Sequence, residues 1–337
     1  MNNSTDSDAT NLSSTSDFRR SFIFILLCTF FIPSTLCYLY LFINFVHKRQ
    51  LRRNVHNHSV LLILIFSFLQ VISEQSLTLS YLHNGVSLVT SDGFCKFWST
   101  QDFILGGIIL MLMTYSSSER YLLIFHRPFI LRHFIILHYI PIIICILYPF
   151  IFYIGIIYIY PCINYFDYTV NLCGGPCYVF DIIPSTFDLL FNITVFETIA
   201  LLGNIVLVSR VLHRKHHMKQ QNKWKKNRRL LIQVLSITLL HNIVLALMVI
   251  FMLIQLFSTT YQPMLVDLTY NVLQYGVYMV HLLCPFVSLI GLPELWPRSV
   301  VRLLKRLLNN NAVQPTIHIP LHTDIRTLQQ LRTNYTR

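Results

Sequence analysis

Acidic side chains occur where the chain is otherwise apolar. Glu74, Asp102, Asp188 and Glu197 stand inside long hydrophobic stretches. A carboxylate in hydrocarbon is costly, so it needs a partner or a function such as binding a cation. No Lys or Arg lies at a similar depth in any of these stretches. Asp102 is therefore predicted to be neutral, hydrogen-bonded to a neighbour, or available to a cationic ligand.

A second group of interest is the tripeptide Glu119-Arg120-Tyr121, at the end of one such stretch. Cys95 precedes Arg120 by 25 residues, about 37 Å of α-helix and thus a full membrane crossing. Asp102 precedes Arg120 by 18 residues, or five turns, so one helix face carries a cysteine, an acid and an arginine. Taken alone, Arg120 is also explained as one more positive charge at a membrane boundary.

The elements that position these residues are membrane-spanning helices. The chain is 54% hydrophobic and 12% charged, whereas soluble domains carry about 25% charged residues. This composition excludes a soluble enzyme, a nucleic-acid binder and a small secreted disulfide protein. A spanning helix needs roughly 20 apolar residues. Seven segments satisfy this requirement: 21–46, 59–82, 94–125, 134–160, 183–209, 230–257 and 268–292.

The positive charges predict how the seven spans are oriented. All but three of the 26 Lys and Arg residues follow spans one, three, five and seven; the exceptions are Arg19, Arg20 and Lys96. Because positive charge accumulates in cytoplasmic loops, we expect a multi-pass membrane protein with its N-terminus on the outer side. The net charge of +12 then reflects orientation and contact with anionic lipid rather than nucleic-acid binding.

The first twenty residues are predicted to form a polar extracellular tail, and 21–292 the seven-helix bundle. Asn2, Asn3 and Asn11 each begin an N-x-S/T sequon on this tail, so they are candidate glycosylation sites. No cofactor and no metal site is expected.

Four cysteines fall on the predicted outer side: Cys95, Cys162, Cys173 and Cys177. That side is oxidising, and an even count indicates two disulfides. The residues themselves leave all three pairings open. A zinc site is the weaker alternative, since no histidine lies near the last three cysteines.

The combination of topology and motifs resembles the rhodopsin-like (class A) family of G-protein-coupled receptors, and its outline is similar to the divergent orphan receptors of invertebrates. The resemblance covers nearly the whole chain. It implies a location in the plasma membrane, an extracellular ligand, a heterotrimeric G protein as partner and an eighth helix. An apolar stripe opposite the basic residues of 298–308 predicts that the segment 293–308 forms this amphipathic helix, and the polar composition of 309–337 predicts a disordered tail. The resemblance is carried by Glu119-Arg120-Tyr121 for the D/E-R-Y motif, Cys95 for the helix-three disulfide cysteine, Pro128 in the second cytoplasmic loop, and Pro285 in span seven.

The resemblance also implies roles for individual residues. Cys95 forms a disulfide, for which we name Cys177 as partner and Cys162–Cys173 as the second pair. Asp102 and Tyr278 match positions that hold the ligand's ammonium in amine receptors, which suggests an amine or a basic peptide as ligand. The alternative is an Asp102–Tyr278 hydrogen bond that closes the bundle.

Several positions depart from the family pattern. Ser67 or a neighbour replaces the helix-two Asp, span six lacks the Trp-x-Pro switch, and Cys284-Pro285 begins the altered N-P-x-x-Y motif. A relative that has lost coupling is therefore one alternative. A multi-pass transporter or channel is another, although no internal repeat is visible. An enzyme ranks last, because the acids show no catalytic spacing.

Overall fold

The computed structural model describes residues 4–48, 56–125, 133, 135–215, 221–258 and 262–291. These residues form helices and turns without a β-strand, and seven helices are long and apolar enough to cross a membrane. The predicted all-helical class and the seven spans are confirmed. The helices are α1 (Ser4–His47), α2 (His56–Leu69, Gln70–Glu74 and Gln75–Asn84), α3 (Asp92–Phe125), α4 (Ile135–Tyr139, Ile140–Ile154 and Gly155–Ile159), α5 (Ile182–Phe187, Asp188–Thr194 and Val195–Lys215), α6 (Gln221–Phe257) and α7 (Pro263–Leu268, Thr269–Leu273 and Gln274–Gly291).

Helix α3 is the centre of the bundle. It packs against α2, α4, α5 and α6, while α7 packs against α1, α2 and α6. Buried apolar side chains such as Ile108, Ile109 and Leu112 line α3 and join the main core. Apolar side chains exposed on the outer helix faces, for example Ile143 and Ile151 of α4, suit a lipid environment.

Four helices contain π turns, in which the backbone takes one extra residue per turn. They lie at Gln70–Glu74 in α2, at both ends of α4, at Asp188–Thr194 in α5 and at Thr269–Leu273 in α7. Such turns are frequent at functional sites because they redirect side chains locally. Those in α2 and α5 carry the acids that the sequence singles out.

Two helices are longer than the apolar pattern predicts. Helix α1 begins at Ser4, inside the predicted tail 1–20, and α6 begins at Gln221, inside the predicted basic loop. Hydropathy marks the membrane segment of a helix but not its polar extensions. In α6 the extension is rich in Lys, Arg and Gln, which are good helix formers, whereas the Ser, Thr and Asp residues at the start of α1 give no such signal. Asn2, Asn3, Pro128, the predicted eighth helix 293–308 and the tail 309–337 lie outside the described residues, as does the side chain of Asn11.

The loop between α4 and α5 corrects the predicted disulfides. Cys95 is bonded to Cys173 and Cys162 to Cys177, with Cα–Cα distances of 5.7 and 5.9 Å. The predicted pairs, Cys95–Cys177 and Cys162–Cys173, are therefore wrong. We refer to this part of the bundle as the disulfide end and to the opposite part as the Arg120 end.

Local contacts explain the observed pairing. The Ser99 hydroxyl donates to the Leu172 carbonyl at 3.0 Å, which holds the turn Asn171–Gly174 against α3 beside Cys95. The backbone N–H of Cys177 instead donates to Asn164 Oδ1 at 2.8 Å, which keeps Cys177 close to Cys162.

Backbone geometry reinforces this turn. Leu172 and Cys173 have φ values of 53° and 52°, a region that non-glycine residues rarely adopt. Such a conformation costs about 1–3 kcal/mol per residue. The disulfide and the Ser99 hydrogen bond therefore hold the chain in a shape that it would not adopt alone.

Candidate functional site

The π turn of α2 faces Asp102 of α3 near the disulfide end. Gln70 opens this turn, and its Nε2 donates to Asp102 Oδ1 at 2.7 Å. Glu74 closes the turn, one helical repeat further on, and is completely buried. The turn thus brings two acids and an amide into one region. We call Gln70, Glu74, Asp102 and Tyr278 the acid cluster.

Glu74 is only partly satisfied by hydrogen bonds. Its Oε1 accepts a hydrogen bond from the Thr78 hydroxyl at 2.6 Å, while Oε2 has no partner. The Tyr278 hydroxyl and the Trp98 indole lie beside this carboxyl group. Glu74 is therefore surrounded by side chains of α2, α3 and α7.

Tyr278 joins the cluster without bonding to Asp102. Its hydroxyl accepts a hydrogen bond from Gln274 Nε2 at 3.2 Å, and its backbone carbonyl accepts one from Gln75 Nε2 at 2.9 Å. Asp102 lies near enough to Tyr278 for its charge to act on the Tyr278 hydroxyl. The Asp102 Oδ1 accepts its hydrogen bond from Gln70, and the structure shows no direct hydrogen bond between Asp102 and Tyr278.

The electrostatics of the acid cluster are unbalanced. Glu74 and Asp102 are close enough to repel one another, and no Lys or Arg forms a salt bridge with either in the part of the chain that the structure describes. Two neighbouring carboxylates do not both ionise readily in a buried site. A bound cation or a proton would relieve this repulsion.

Unpartnered polar atoms surround the same point. Buried polar groups in native proteins nearly always have hydrogen-bond partners, so a concentration of exceptions suggests a site for a ligand or for water. The orphan atoms here are Gln70 Oε1 and Gln75 Oε1, whereas the Glu74 carboxyl group has the Tyr278 hydroxyl and the Trp98 indole beside it. Both orphan atoms are acceptors, which suits a ligand that donates hydrogen bonds.

Sequence reasoning missed Gln70, Gln75 and Trp98 as members of this site. Gln70, Glu74 and Gln75 are three long polar side chains within six residues of an otherwise apolar span. This grouping of polar residues was the feature of the sequence from which the site could have been predicted. Trp98 offered none, because an aromatic residue near a membrane boundary is ordinarily a packing residue.

A second cluster lies at the Arg120 end of α3. Glu119 and Arg120 are both buried, with 4% of each exposed. The Glu119 carboxylate accepts a hydrogen bond from the Ser59 hydroxyl and another from His138 Nδ1 at 2.6 Å. It also attracts the Arg120 guanidinium. We call Ser59, Glu119, Arg120 and His138 the Arg120 cluster; it ties α2, α3 and α4 together.

Further contacts extend this network. Nε2 of His138 lies 3.3 Å from His58 Nδ1, and the Tyr115 hydroxyl donates to the Leu137 carbonyl at 2.9 Å. The Arg210 guanidinium of α5 lies over the Tyr121 ring, 5.4 Å from its centroid. The tripeptide therefore contacts three neighbouring helices. The sequence predicted Glu119, Arg120 and Tyr121 but not the side chains that hold them.

The sequence also restricts the partners of Arg120. No Asp or Glu occurs between residues 198 and 266, so α6 has no carboxylate to offer. Glu119, next to Arg120 in the chain, is its nearest acidic neighbour in the sequence. Any opening of α6 from α3 therefore breaks no ion pair between these two helices.

A third buried acid, Asp188, is fully engaged. It accepts hydrogen bonds from the hydroxyls of Tyr153 and Tyr178 at 3.0 Å each, and from Asn192 Nδ2 at 2.8 Å. Burial, followed by the neighbouring Asp188 charge, raises the pKa of the Tyr178 hydroxyl in the loop. Asp188 thus fastens the loop to α4 and α5 and is not a free binding group.

The loop itself is stabilised by surface hydrogen bonds. Asp167 accepts hydrogen bonds from the Thr169 hydroxyl and backbone N–H, and these bonds lower its pKa. Tyr168 donates to Asp92 Oδ1 at 2.6 Å, which raises the pKa of the Tyr168 hydroxyl. These contacts fix the loop above the acid cluster.

Comparison with known proteins adds no family assignment. No protein-family model matches this sequence, and no curated protein is significantly similar to it. The residues of the two clusters and their geometry therefore carry the functional argument.

Proposed function

We propose that the protein is a class A G-protein-coupled receptor of the plasma membrane. The observation that carries the proposal is the arrangement on α3. Glu119-Arg120-Tyr121 occupies one end of this central helix in a seven-helix bundle, and Cys95, disulfide-bonded to the long loop through Cys173, occupies the other. Arg120 is the residue to which we assign coupling.

The two clusters have different roles in this proposal. The acid cluster receives the ligand at the disulfide end, which is extracellular, and the Arg120 cluster faces the G protein on the cytoplasmic side. A ligand that binds one conformation of the bundle more tightly shifts the population toward it. Helix α3 reaches both clusters, so a change of its packing affects both.

The proposed ligand carries a positive charge, as an amine or a basic or amidated peptide does. Glu74 and Asp102 supply negative charge without a cation, and Gln70, Gln75 and Tyr278 supply polar atoms around it. Replacing Asp102 with Asn keeps its size and its bond to Gln70 but removes the charge. Weaker binding of cationic ligands only, and not of neutral analogues, supports this ligand class.

The coupling assignment is tested with Arg120→Ala. We expect G-protein activation, measured basally and with a panel of amines and basic peptides, to fall to background while surface expression is retained. Arg19→Ala is the matched control, because Arg19 pairs with Asp267 at the disulfide end. Unchanged signalling of Arg120→Ala at equal surface level would falsify the assignment.

The same proposal includes the orientation. We place the N-terminus outside the cell, with sugar chains on Asn2, Asn3 and Asn11, Pro128 in a coupling loop and residues 293–308 as an amphipathic helix on the inner leaflet. A glycosidase-sensitive mass shift that is lost when the three asparagines are replaced by Gln tests the orientation. A shift that persists in the triple variant contradicts the sequon assignment.

A transporter or channel is the second candidate function, because intramembrane carboxylates also mark ion and proton pathways. It predicts that Glu74→Gln and Asp102→Asn abolish a cation flux, whereas Arg120→Ala leaves the flux intact. Flux measurements on reconstituted protein separate the two functions.

A further inference from the structure

A long apolar groove runs along the outside of the bundle between α2, α3 and α4. It lies toward the disulfide end and has a volume of about 550 Å³, which is within the range of ligand sites. Leu69 and Ser73 of α2, Thr100 and Ile104 of α3, and Ile154 and Tyr158 of α4 line its three walls. The groove is separate from the acid cluster, whose side chains point into the bundle.

Two π turns shape the groove. The turn Gln70–Glu74 of α2 contains Ser73 and follows Leu69 directly, and the turn Gly155–Ile159 of α4 contains Tyr158. A π turn widens a helix and displaces it from its regular path. Irregular geometry thus occurs in two of the three walls, at the place where the groove forms.

The groove walls themselves offer almost only apolar surface. The Thr100 hydroxyl donates to the Lys96 carbonyl at 2.6 Å and the Ser73 hydroxyl to the Leu69 carbonyl at 2.5 Å, so both are satisfied by their own helices. Phe97, Phe150 and Tyr158 are about half exposed along the groove. A hydrocarbon chain matches such walls.

One cation stands at the outer end of the groove. The Lys96 ammonium lies 4.5 Å from the centroid of the Tyr158 ring, one turn before Thr100 on α3. No carboxylate forms a salt bridge with Lys96 among the residues that the structure describes, and nearby Asp92 accepts the Tyr168 hydroxyl instead. Lys96 is therefore placed to hold an anionic group at the mouth of an apolar groove.

We propose that this groove binds a long-chain fatty acid, with its carboxylate on Lys96 and its hydrocarbon chain between α2, α3 and α4. One ammonium and one groove match one anionic group and one chain. Between Phe97 and Leu105 the groove follows eight residues of α3, about 12 Å along the helix axis. The inference is independent of the proposed receptor function and of the acid cluster.

The test uses the full chain in phosphatidylcholine nanodiscs with a photoactivatable palmitic acid. We expect crosslinks on α3 and α4 peptides that line the groove. Lys96→Gln should raise the probe concentration that half-saturates labelling about tenfold, which is the effect expected when a charge-assisted hydrogen bond is lost. Arg20→Gln, which removes another cation at the disulfide end, should leave labelling unchanged.

Two further experiments identify which molecule occupies the groove. Ile154→Trp fills the groove and should abolish labelling, with thermal unfolding checking that the variant is folded. The methyl ester of the probe lacks the charge and should label weakly, equally in wild type and in Lys96→Gln. Equal labelling by acid and ester, or no effect of Lys96→Gln, overturns the proposal. Displacement of the probe by phosphatidylglycerol at lower concentration than by unlabelled palmitate also overturns it, in favour of a two-chain anionic lipid.

Discussion

The two polar clusters on α3 differ in how completely their hydrogen bonds are satisfied. At the Arg120 end, Glu119 bonds to Ser59 and His138, and Arg120 lies beside an opposite charge. At the disulfide end, Glu74 and Asp102 lie close together without a salt bridge among the described residues, and the side-chain oxygens of Gln70 and Gln75 have no hydrogen-bond partner. Both clusters contain a buried glutamate, but only one of these glutamates has groups that compensate its charge.

In the proposed receptor, this difference separates a cluster that holds the structure together from a cluster that would receive the ligand. Burying a charge costs several kcal/mol unless partners and hydrogen bonds compensate it. The Arg120 cluster contains its own compensation. The acid cluster has no cationic partner among the described residues, so in the proposed receptor a cationic ligand would supply the charge that allows its carboxyl groups to ionise.

The largest expected effect comes from removing the Cys95–Cys173 disulfide, which lies at one end of the bundle. Replacing Cys95 and Cys173 with Ala should destabilise the fold by about 3–4 kcal/mol, because the bond links residues 78 positions apart. It also releases Trp98, which packs on this disulfide beside Glu74. The unfolding temperature should fall, and ligand binding at the acid cluster should weaken, while the Arg120 cluster keeps its contacts.

The second disulfide, which joins residues closer together in the sequence, provides the control. Replacing Cys162 and Cys177 with Ala opens a separation of 15 residues and should cost less, about 2–3 kcal/mol. Peptide mapping of the unreduced protein checks the pairing directly. A peptide that joins Cys95 to Cys177 would contradict the structure at this point.

A matched pair of isosteric substitutions compares the two glutamates. Glu119→Gln should lower stability by about 2–3 kcal/mol, since it removes the charge that accepts from His138 and faces Arg120. Glu74→Gln should change stability by less than about 1 kcal/mol, because a buried glutamate without a cationic partner is itself uncharged and the amide has the same size. Unfolding of the purified proteins measures both, and equal losses would remove the distinction between the clusters.

Substitutions at two adjacent glycines, Gly106 and Gly107, test how α3 packs between the two clusters. A Cβ on Gly107 would come within 3.0 Å of the Tyr153 ring and 3.1 Å of Pro149, while one on Gly106 meets nothing within 4 Å. Gly107→Ala should therefore destabilise the α3–α4 contact by about 1–2 kcal/mol. Gly106→Ala should stabilise α3 by about 0.5–1 kcal/mol through helix propensity. Opposite shifts in unfolding temperature are expected, and shifts of the same sign would disprove close packing at Gly107.

The smallest effect concerns the loop above the acid cluster. The Thr169 hydrogen bonds lower the pKa of Asp167, so their stabilisation is present above the unfolded pKa of about 3.9 and is lost as the pH falls through the lower folded value. Asp167 is exposed to solvent, which limits the contribution to a few tenths of a kcal/mol. Asp167→Asn should be less stable than wild type at pH 7, and the difference should shrink as the pH falls below about 3.9. A stability difference that persists at low pH would exclude the ionised carboxylate as its cause.

The apolar pattern predicted the spans well, because hydrocarbon requires continuous stretches of about 20 apolar residues whatever their neighbours are. The acids in spans three and five did not interrupt the helices, since α3 and α5 are continuous through them. The polar extensions of α1 and α6 were not predicted, because hydropathy does not distinguish a polar helix from a loop. The π turns also left no recognisable mark in the sequence.

The spacing of residues within one helix could be predicted from the sequence, whereas contacts between helices could not. Spacing along one helix placed Asp102 and Arg120 on a common face, because the repeat of the α-helix is known in advance. Partners on other helices did not follow from spacing. His138 and Ser59 meet Glu119, and Gln70 reaches Asp102, only through the packing of α2 and α4 on α3.

The sequence alone determined the helical class, the seven apolar spans, the acids buried within them and the Glu119-Arg120-Tyr121 tripeptide. These depend on local composition and on the fixed geometry of a helix. Only the tertiary structure decided that Cys95 joins Cys173, that Glu119 is compensated while Glu74 is not, and that Lys96 stands at the mouth of a groove. Each of these depends on contacts between segments far apart in the chain, and such contacts are set by the packing of whole helices rather than by any local pattern.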